Sequence, residues 1–187
     1  MTVVYVIRHG KPAATWGGAD EDPGLDMTGH AQAKVAADEI LALPQRPTYV
    51  VSSPLRRCRE TAEPLAKALG VDLVIDPRVG EIPTPVTLSA EERPAWLKQV
   101  FEGRWDEIEG DLDYVAWTES VAAALRAHAG AAVFSHFVAL NAAVGVATGR
   151  AEVMAFRPDH CSRTVFEIDG ERLILVEKGR EAQSQVL

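Results

Sequence analysis

Val3-Val4-Tyr5-Val6-Ile7-Arg8-His9-Gly10 decides the reading of this chain. Five consecutive β-branched or aromatic residues predict a strand buried on both faces. Such a strand belongs in the middle of a sheet covered by helices. It ends in a guanidinium, an imidazole and a glycine. Ligands of open α/β sheets sit beyond the carboxyl ends of the strands, so Arg8 and His9 mark where chemistry is expected. Gly10 allows a sharp turn or a close approach of the backbone.

Working outward, 187 residues suit a single domain, 1–187, large enough for a real core. The formal net charge of −8 argues against non-specific binding to nucleic acid or to an anionic membrane. It also makes local clusters of positive charge more telling. No apolar run is long enough to span a bilayer, and no signal peptide is read. Cys58 and Cys161 show neither metal nor redox spacing, so a reducing, cytoplasmic setting is expected.

Lys11 to Asp26 reads as a loop that leaves the first strand and lines the site. Thr28 is expected to cap a helix to about Leu43, with Ala33, Ala36, Ile40 and Leu43 on one face. Thr48–Val51 predicts a second strand. Ser53 and Pro54 predict the N-cap and first position of a helix that carries Arg57 in its first turn, is kinked at Pro64 and ends at Gly70. Val71–Ile75 reads as a third strand and Asp76–Pro85 as a loop. Residues 89–109 read as a helix within a small lid around 82–110. A further helix spans about 113–129, Ala131–Ser135 is a fourth strand ending in His136, and an alanine-rich helix runs from Phe137 to Thr148. Two strands around Asp169-Gly170 form an antiparallel hairpin. Strands alternating with helices predict a three-layer α/β/α sandwich, with a mostly parallel central sheet and an antiparallel edge.

Three strand ends therefore deliver Arg8, His9, Arg57 and His136 to one edge of the sheet. Two guanidiniums and two imidazoles make a site for a dianion, because guanidinium forks match phosphate oxygens bidentately. The helix N-termini after Pro54 and His136 add N–H donors.

Arg8-His9-Gly10 after a leading apolar strand, Ser52-Ser53-Pro54-Leu55-Arg56-Arg57 with Glu60-Thr61-Ala62, and Ser135-His136 together resemble the histidine phosphatase superfamily, which includes phosphoglycerate mutases and many small phosphatases. Leu25, Thr28, Gly29, Gln32 and Ala33 also match that family's first helix. The resemblance implies a histidine acid phosphatase-type phosphomonoesterase acting on a small phosphorylated metabolite, with no cofactor and no metal. His9 would be the nucleophile, forming a phosphohistidine. Arg8 and Arg57 would clamp the phosphoryl oxygens, and His136 would donate to them. Glu81 would be the general acid, since the family places this carboxylate in the loop after the third strand. Family members that act as mutases usually carry Glu just after the glycine and Asn a few positions on. Here those positions are Lys11 and Thr15, and Phe137-Val138 replaces the frequent Gly-Gly after the second histidine. The substrate-contact candidates are thus Lys11, Thr15, Trp16 and Phe137.

Blander readings stand beside these. Arg56 and Arg59 read as solvated helix charges, with Arg56 a rival to Arg57. Asp76, Asp106 and Glu109 rival Glu81. Ser53 and Thr61 read as a cap and a supporting hydroxyl. His30, His128 and His160 are placed on helix or loop surfaces, and Trp96 and Trp105 in packing. Rival functions are a phosphoglycerate mutase-type phosphotransferase, a phosphohistidine-protein phosphatase and a non-catalytic phospho-ligand-binding relative. A metal hydrolase built on His9 and His136 lacks paired ligand spacing. The oligomeric state and the physiological substrate are not legible.

Overall fold

The first strand alternates strictly between two cores. In the computed structural model, which describes residues 1–14 and 20–183, β1 is Thr2–Arg8. Val4 and Val6 join one apolar cluster, and Tyr5 and Ile7 join the other. A strand whose successive side chains point to opposite faces and are all apolar must be covered twice. Helices α1 (Met27–Leu41) and α2 (Arg56–Leu69) cover the Tyr5 and Ile7 face, while α4 (Tyr114–Ala127) and α5 (Phe137–Thr148) cover the other. Between them lie β2 (Tyr49–Ser52), β3 (Leu73–Ile75), β4 (Ala131–Ser135), β5 (Arg163–Asp169) and β6 (Arg172–Glu177). The sheet order is β3-β2-β4-β1-β5-β6. β3, β2, β4 and β1 are parallel, and β5 pairs antiparallel with both β1 and β6. The expected α/β/α sandwich, with a parallel centre and an antiparallel hairpin at one edge, is the fold observed.

Element ends differ from the sequence reading for identifiable reasons. Asp26, not Thr28, caps α1: its carboxylate accepts from Gly29 N–H at 2.7 Å. A carboxylate at that position satisfies an orphan N–H of the first turn. The helix stops at Leu41, short of Leu43. Helix α2 starts at Arg56, after an extended Leu55, so Ser53 and Pro54 precede it. It runs through Pro64 to Leu69 and closes on Gly70 in the left-handed region (φ 66°). The third strand is only three residues long and lies at the sheet edge, where Val74 and Ile75 are exposed. The stretch read as one helix over 89–109 divides. Helix α3 is Arg93–Glu102, Gly103 ends it in extended conformation, and a 3-10 turn follows at Trp105–Glu107. A second 3-10 turn at Pro77–Val79 lies inside the predicted loop. None of the described helices is long and apolar enough to cross a membrane.

The parallel register places the functional segment. Arg8 stands beside Ser135, and Ser52 beside Phe134. The ladder continues one residue past the strands: His9 N–H donates to Ser135 O, Ser53 N–H to Phe134 O and Asp76 N–H to Ser52 O, each at 3.0 Å. The chain segments leaving β1, β2 and β4 are therefore locked in step.

Candidate active site

His9 is the buried centre of the site, only 5% exposed. Its Nδ1 lies 2.8 Å from Gly10 O. A carbonyl oxygen can only accept, so Nδ1 carries the hydrogen and Nε2 carries the lone pair. Arg57 Nε–H donates to that Nε2 at 3.3 Å. Burial, then His136, Arg57 and Arg8, hold the His9 pKa well below the ordinary 6.5. The imidazole is neutral, and its lone-pair nitrogen faces a guanidinium.

Arg57 comes from the first turn of α2 and is buried. Its Nη2 donates to His136 Nδ1 at 3.2 Å and to Glu81 Oε2 at 3.4 Å, and Glu81 Oε2 lies 3.4 Å from His136 Nδ1. These three atoms form a nearly equilateral triangle. With Nδ1 accepting from Arg57, His136 presents its Nε2–H to Ser53 Oγ at 2.8 Å. Burial lowers the His136 pKa, with Glu81 pulling the other way. For Glu81, burial pushes the carboxyl up, but His136, Arg57 and the Ile82 N–H outweigh it and bring the pKa to about 2. The carboxylate is ionised, and we assign the holding charge to Arg57 because His136 is neutral. Ile82 N–H reaches Glu81 Oε1 at 3.0 Å, and the Ser135 hydroxyl donates to Val79 O at 2.7 Å. The Glu81 loop is thus tied to the end of β4.

Arg8 supplies the second guanidinium. Its Nη1 donates to Pro158 O at 2.9 Å, and its carbon lies 5.2 Å from the centre of the Phe137 ring. Burial lowers its pKa to about 10, which leaves it protonated at neutral pH. Its buried Nε has no partner among the described residues. A buried donor without an acceptor is costly unless a ligand supplies one. Thr61 joins the two halves of the floor: its hydroxyl donates to Arg57 O at 2.6 Å and accepts from Gly10 N–H at 3.0 Å. Gly10 itself crosses the start of α1, where a Cβ would lie 2.8 Å from Gly29 O.

The structure therefore gathers Arg8, His9, Arg57, Glu81 and His136. Phe137 lies under Arg8 and against Phe101 (5.4 Å between rings) and is buried. Lys11 is half exposed and pairs with Asp26 at 3.1 Å. Thr15 and Trp16 lie outside the described residues. Among the rivals, Arg56 is exposed and bonded to Glu60 at 2.6 Å. Asp76 is taken by Arg78 and by His128, both at the sheet edge, and Asp106 is exposed beside Arg104. Glu109 lines a separate cleft of about 410 Å³, with Pro85, Trp96, Val100, Arg104 and Ile108, that none of the five residues borders. Two histidines are not surface groups. His128 is largely buried against Asp76. His160 stands with its ring 6.0 Å from that of His9. Sequence reasoning missed it because its loop, just before β5, carries no periodicity or motif.

A neutral imidazole between two guanidiniums, with one carboxylate beside them, makes a pocket whose charge suits a dianion. The match to the model of the histidine phosphatase superfamily (branch 1) covers residues 4–180, and the chain belongs to that family. Proteins named probable phosphoglycerate mutase GpmB match at 32% identity over 115 residues in Photorhabdus laumondii and 35% over 115 residues in Erwinia tasmaniensis. Each match covers 55% of this chain and 51% of that protein, so the matched region spans about half the length of these curated relatives. Solved structures of the same fold include phosphoserine phosphatase from Entamoeba histolytica in complex with 3-phosphoglyceric acid (TM-score 0.74, 21% identity, 98% of each chain). A putative alpha-ribazole-5'-P phosphatase from Escherichia coli superposes at TM-score 0.73 with 20% identity and 98% of each chain. A mycobacterial glucosyl-3-phosphoglycerate phosphatase complexed with VO3 superposes at 0.71 with 21% identity, over 94% of this chain and 98% of that one.

Proposed function

We propose that this protein is a metal-independent phosphatase that hydrolyses a small phosphomonoester through a phosphohistidine on His9. One observation carries the reading. The Nδ1–H of His9 is fixed on Gly10 O, so its free Nε2 points to Arg57 within a pocket holding two guanidiniums.

The chemistry follows from those groups. Arg57 releases Nε2 as its N–H groups turn to the phosphoryl oxygens, with Arg8 Nε completing the clamp; His136 joins it as a donor when Nδ1 is protonated, its Nε2–H staying on Ser53. Nε2 attacks phosphorus in line, and the bond to the leaving oxygen breaks. That oxygen must take a proton, and Glu81 is placed to deliver it. A dianion arriving between Arg57 and Glu81 raises the carboxyl pKa, because it adds negative charge beside it. The proton therefore comes in with the substrate monoanion and passes through Glu81. In the second step Glu81 takes a proton from water, the water oxygen bonds to phosphorus, the N–P bond breaks and inorganic phosphate leaves. Guanidiniums already held in the pocket stabilise the developing charge with little reorganisation, which is usually the largest source of such stabilisation.

The substrate class is drawn from the fold neighbours, whose names refer to small phosphorylated molecules. The mutase alternative rests on the names of the curated relatives, and Lys11, Thr15 and Phe137-Val138 depart from it. Hydrolysis of an aryl phosphate in EDTA, lost in His9→Ala, is the expected result. Full activity in that variant would remove the nucleophile assignment.

A further inference from the structure

We propose that His160 is a further substrate-contacting residue of this pocket, an imidazole that donates a hydrogen bond to a phosphoryl oxygen as phosphorus moves to and from His9. The inference rests on the phosphoryl-transfer reading above and adds a member to its clamp.

Geometry comes first. The His9 ring is flanked by two imidazoles at similar range, His136 at 5.3 Å and His160 at 6.0 Å between centroids. His136 has both nitrogens engaged, by Arg57 and by Ser53. No hydrogen bond from a described residue engages either ring nitrogen of His160. The imidazole stands beside the nucleophile with its hydrogen-bonding capacity uncommitted.

The loop that presents it is built with unusual care. Three hydrogen bonds clasp it to Arg8: Cys161 N–H to Arg8 O at 3.0 Å, Arg8 N–H to Ser162 O at 3.2 Å, and Arg8 Nη1 to Pro158 O at 2.9 Å. Within the loop, Ser162 N–H closes a turn on Asp159 O at 3.1 Å and His160 N–H reaches Asp159 Oδ1 at 2.8 Å. Cys161 holds φ at 55°, the one described non-glycine residue in the left-handed region. Such a conformation costs roughly 1–3 kcal/mol and collects at ligand clamps and active sites. Here it turns the chain between His160 and the strand that pairs with β1.

Charge agrees with a donor role. The groups that face His160 are Arg8 from β1, Lys11 and Asp26 from the loop between β1 and α1, and Asp159 from its own loop. Burial and Arg8 bring its pKa down to about 4. A neutral imidazole keeps one N–H without adding a third fixed cation beside Arg8.

Three variants separate contact from packing. His160→Phe keeps a ring against His9 but has no donor, His160→Asn keeps a donor but no ring, and His160→Ala keeps neither. A lost hydrogen bond to a charged group corresponds to roughly tenfold to hundredfold. The expected result is a loss of that size in His160→Phe and His160→Ala, both in kcat/KM for an aryl phosphate and in calorimetric affinity for inorganic phosphate. His160→Asn should stay within about fivefold of the parent, on the same scale. Thermal midpoints of all three should agree to within about 3 °C. Parent-like phosphate binding and turnover in His160→Phe would overturn the contact while leaving the pocket reading intact. Losses in His160→Asn as deep as in His160→Ala would do the same. A parent protein that neither binds phosphate nor hydrolyses the ester would overturn both readings together.

Discussion

The floor of the site and the segment expected to form its lid are held by different forces. The floor is the set of residues leaving β1, β2 and β4. Backbone ladder bonds fix it, since His9 and Ser53 each donate to β4 carbonyls, and Val4, Ile7, Val133 and Phe134 beneath it are essentially unexposed. The segment expected to form a lid, 82–110, together with the Asp76–Glu81 loop before it, has one ten-residue helix, two 3-10 turns and a surface of paired charges around Arg104. It is attached outside the sheet ladder: Tyr114 Oη donates to Pro83 O at 2.8 Å, Ser135 Oγ to Val79 O, Trp105 N–H to Ala151 O and Val153 N–H to Gly103 O, while Val79, Ile82, Leu97, Val100 and Trp105 pack into the core. Four of the five gathered residues belong to the floor. Glu81 alone comes from the lid side. Under the proposed function, phosphoryl binding is a property of the sheet ends, whereas proton delivery depends on a loop held by side-chain packing and by bonds outside the sheet ladder.

The largest effects should come from the floor. Arg57→Ala should lower kcat/KM for an aryl phosphate by about 10²–10³-fold, the scale of losing one preorganised charge donor. Arg57→Lys should recover little, because one ammonium cannot replace a fork that touches His9, His136 and Glu81 together. Steady-state kinetics on both variants checks this, and near-parent activity in the lysine variant would dissolve the clamp.

Glu81→Gln tests the lid. The loss should be about 10²–10⁴-fold on alkyl phosphates, whose leaving oxygen needs a proton. On aryl phosphates it should be below about tenfold, because those oxygens leave unaided. Equal losses on both would point to a charge role shared with the floor. The same carboxylate sets pH behaviour. Its folded pKa of about 2 lies below the ordinary 4.5. Its contribution to stability is therefore full above about pH 4.5 and is lost as pH falls towards 2. Acid unfolding of Glu81→Gln should accordingly show a shallower pH dependence than the parent in that window. In turnover the proton must arrive with the substrate, so kcat/KM for an alkyl phosphate should fall above about pH 6, where phosphomonoesters lose their second proton. A profile flat to pH 8 would mean another donor.

Smaller effects separate the two regions in stability. Thr61→Val leaves the buried Gly10 N–H without its acceptor and should cost roughly 1–3 kcal/mol in denaturant unfolding. Tyr114→Phe removes one lid bond and should cost about 1 kcal/mol, with turnover of alkyl phosphates falling more than that of aryl phosphates. The reverse ordering of the two variants would contradict the division between floor and lid.

The same division explains what could be read from the chain. Residues 3–7 and 131–134 announce themselves because a strand buried on both faces leaves no polar position, and Arg8, His9 and His136 follow from where those strands end. The family motif separates Arg57 from Arg56 in sequence, and the helix start at Arg56 shows why: one side chain faces His9 and the other Glu60. Helix ends were less legible, because Asp26 and Thr28 are both good caps and only packing of Gly29 against the Gly10 turn selects Asp26. In the lid, Gly103 breaks an apolar pattern that otherwise runs to Trp105. His160 was illegible for a different reason. It reaches His9 through a non-glycine residue at positive φ and through backbone bonds to Arg8, neither of which leaves a trace in residue type.

In the proposed mechanism the phosphoryl group rests on His9 Nε2. Rapid quenching during turnover of an aryl phosphate, followed by peptide mapping, tests it most directly. The expected result is an acid-labile, alkali-stable phosphoryl adduct on the peptide containing His9, absent in His9→Ala. An acid-stable phosphoester on Ser53 or Thr61, or an unchanged adduct in the His9→Ala variant, would contradict it.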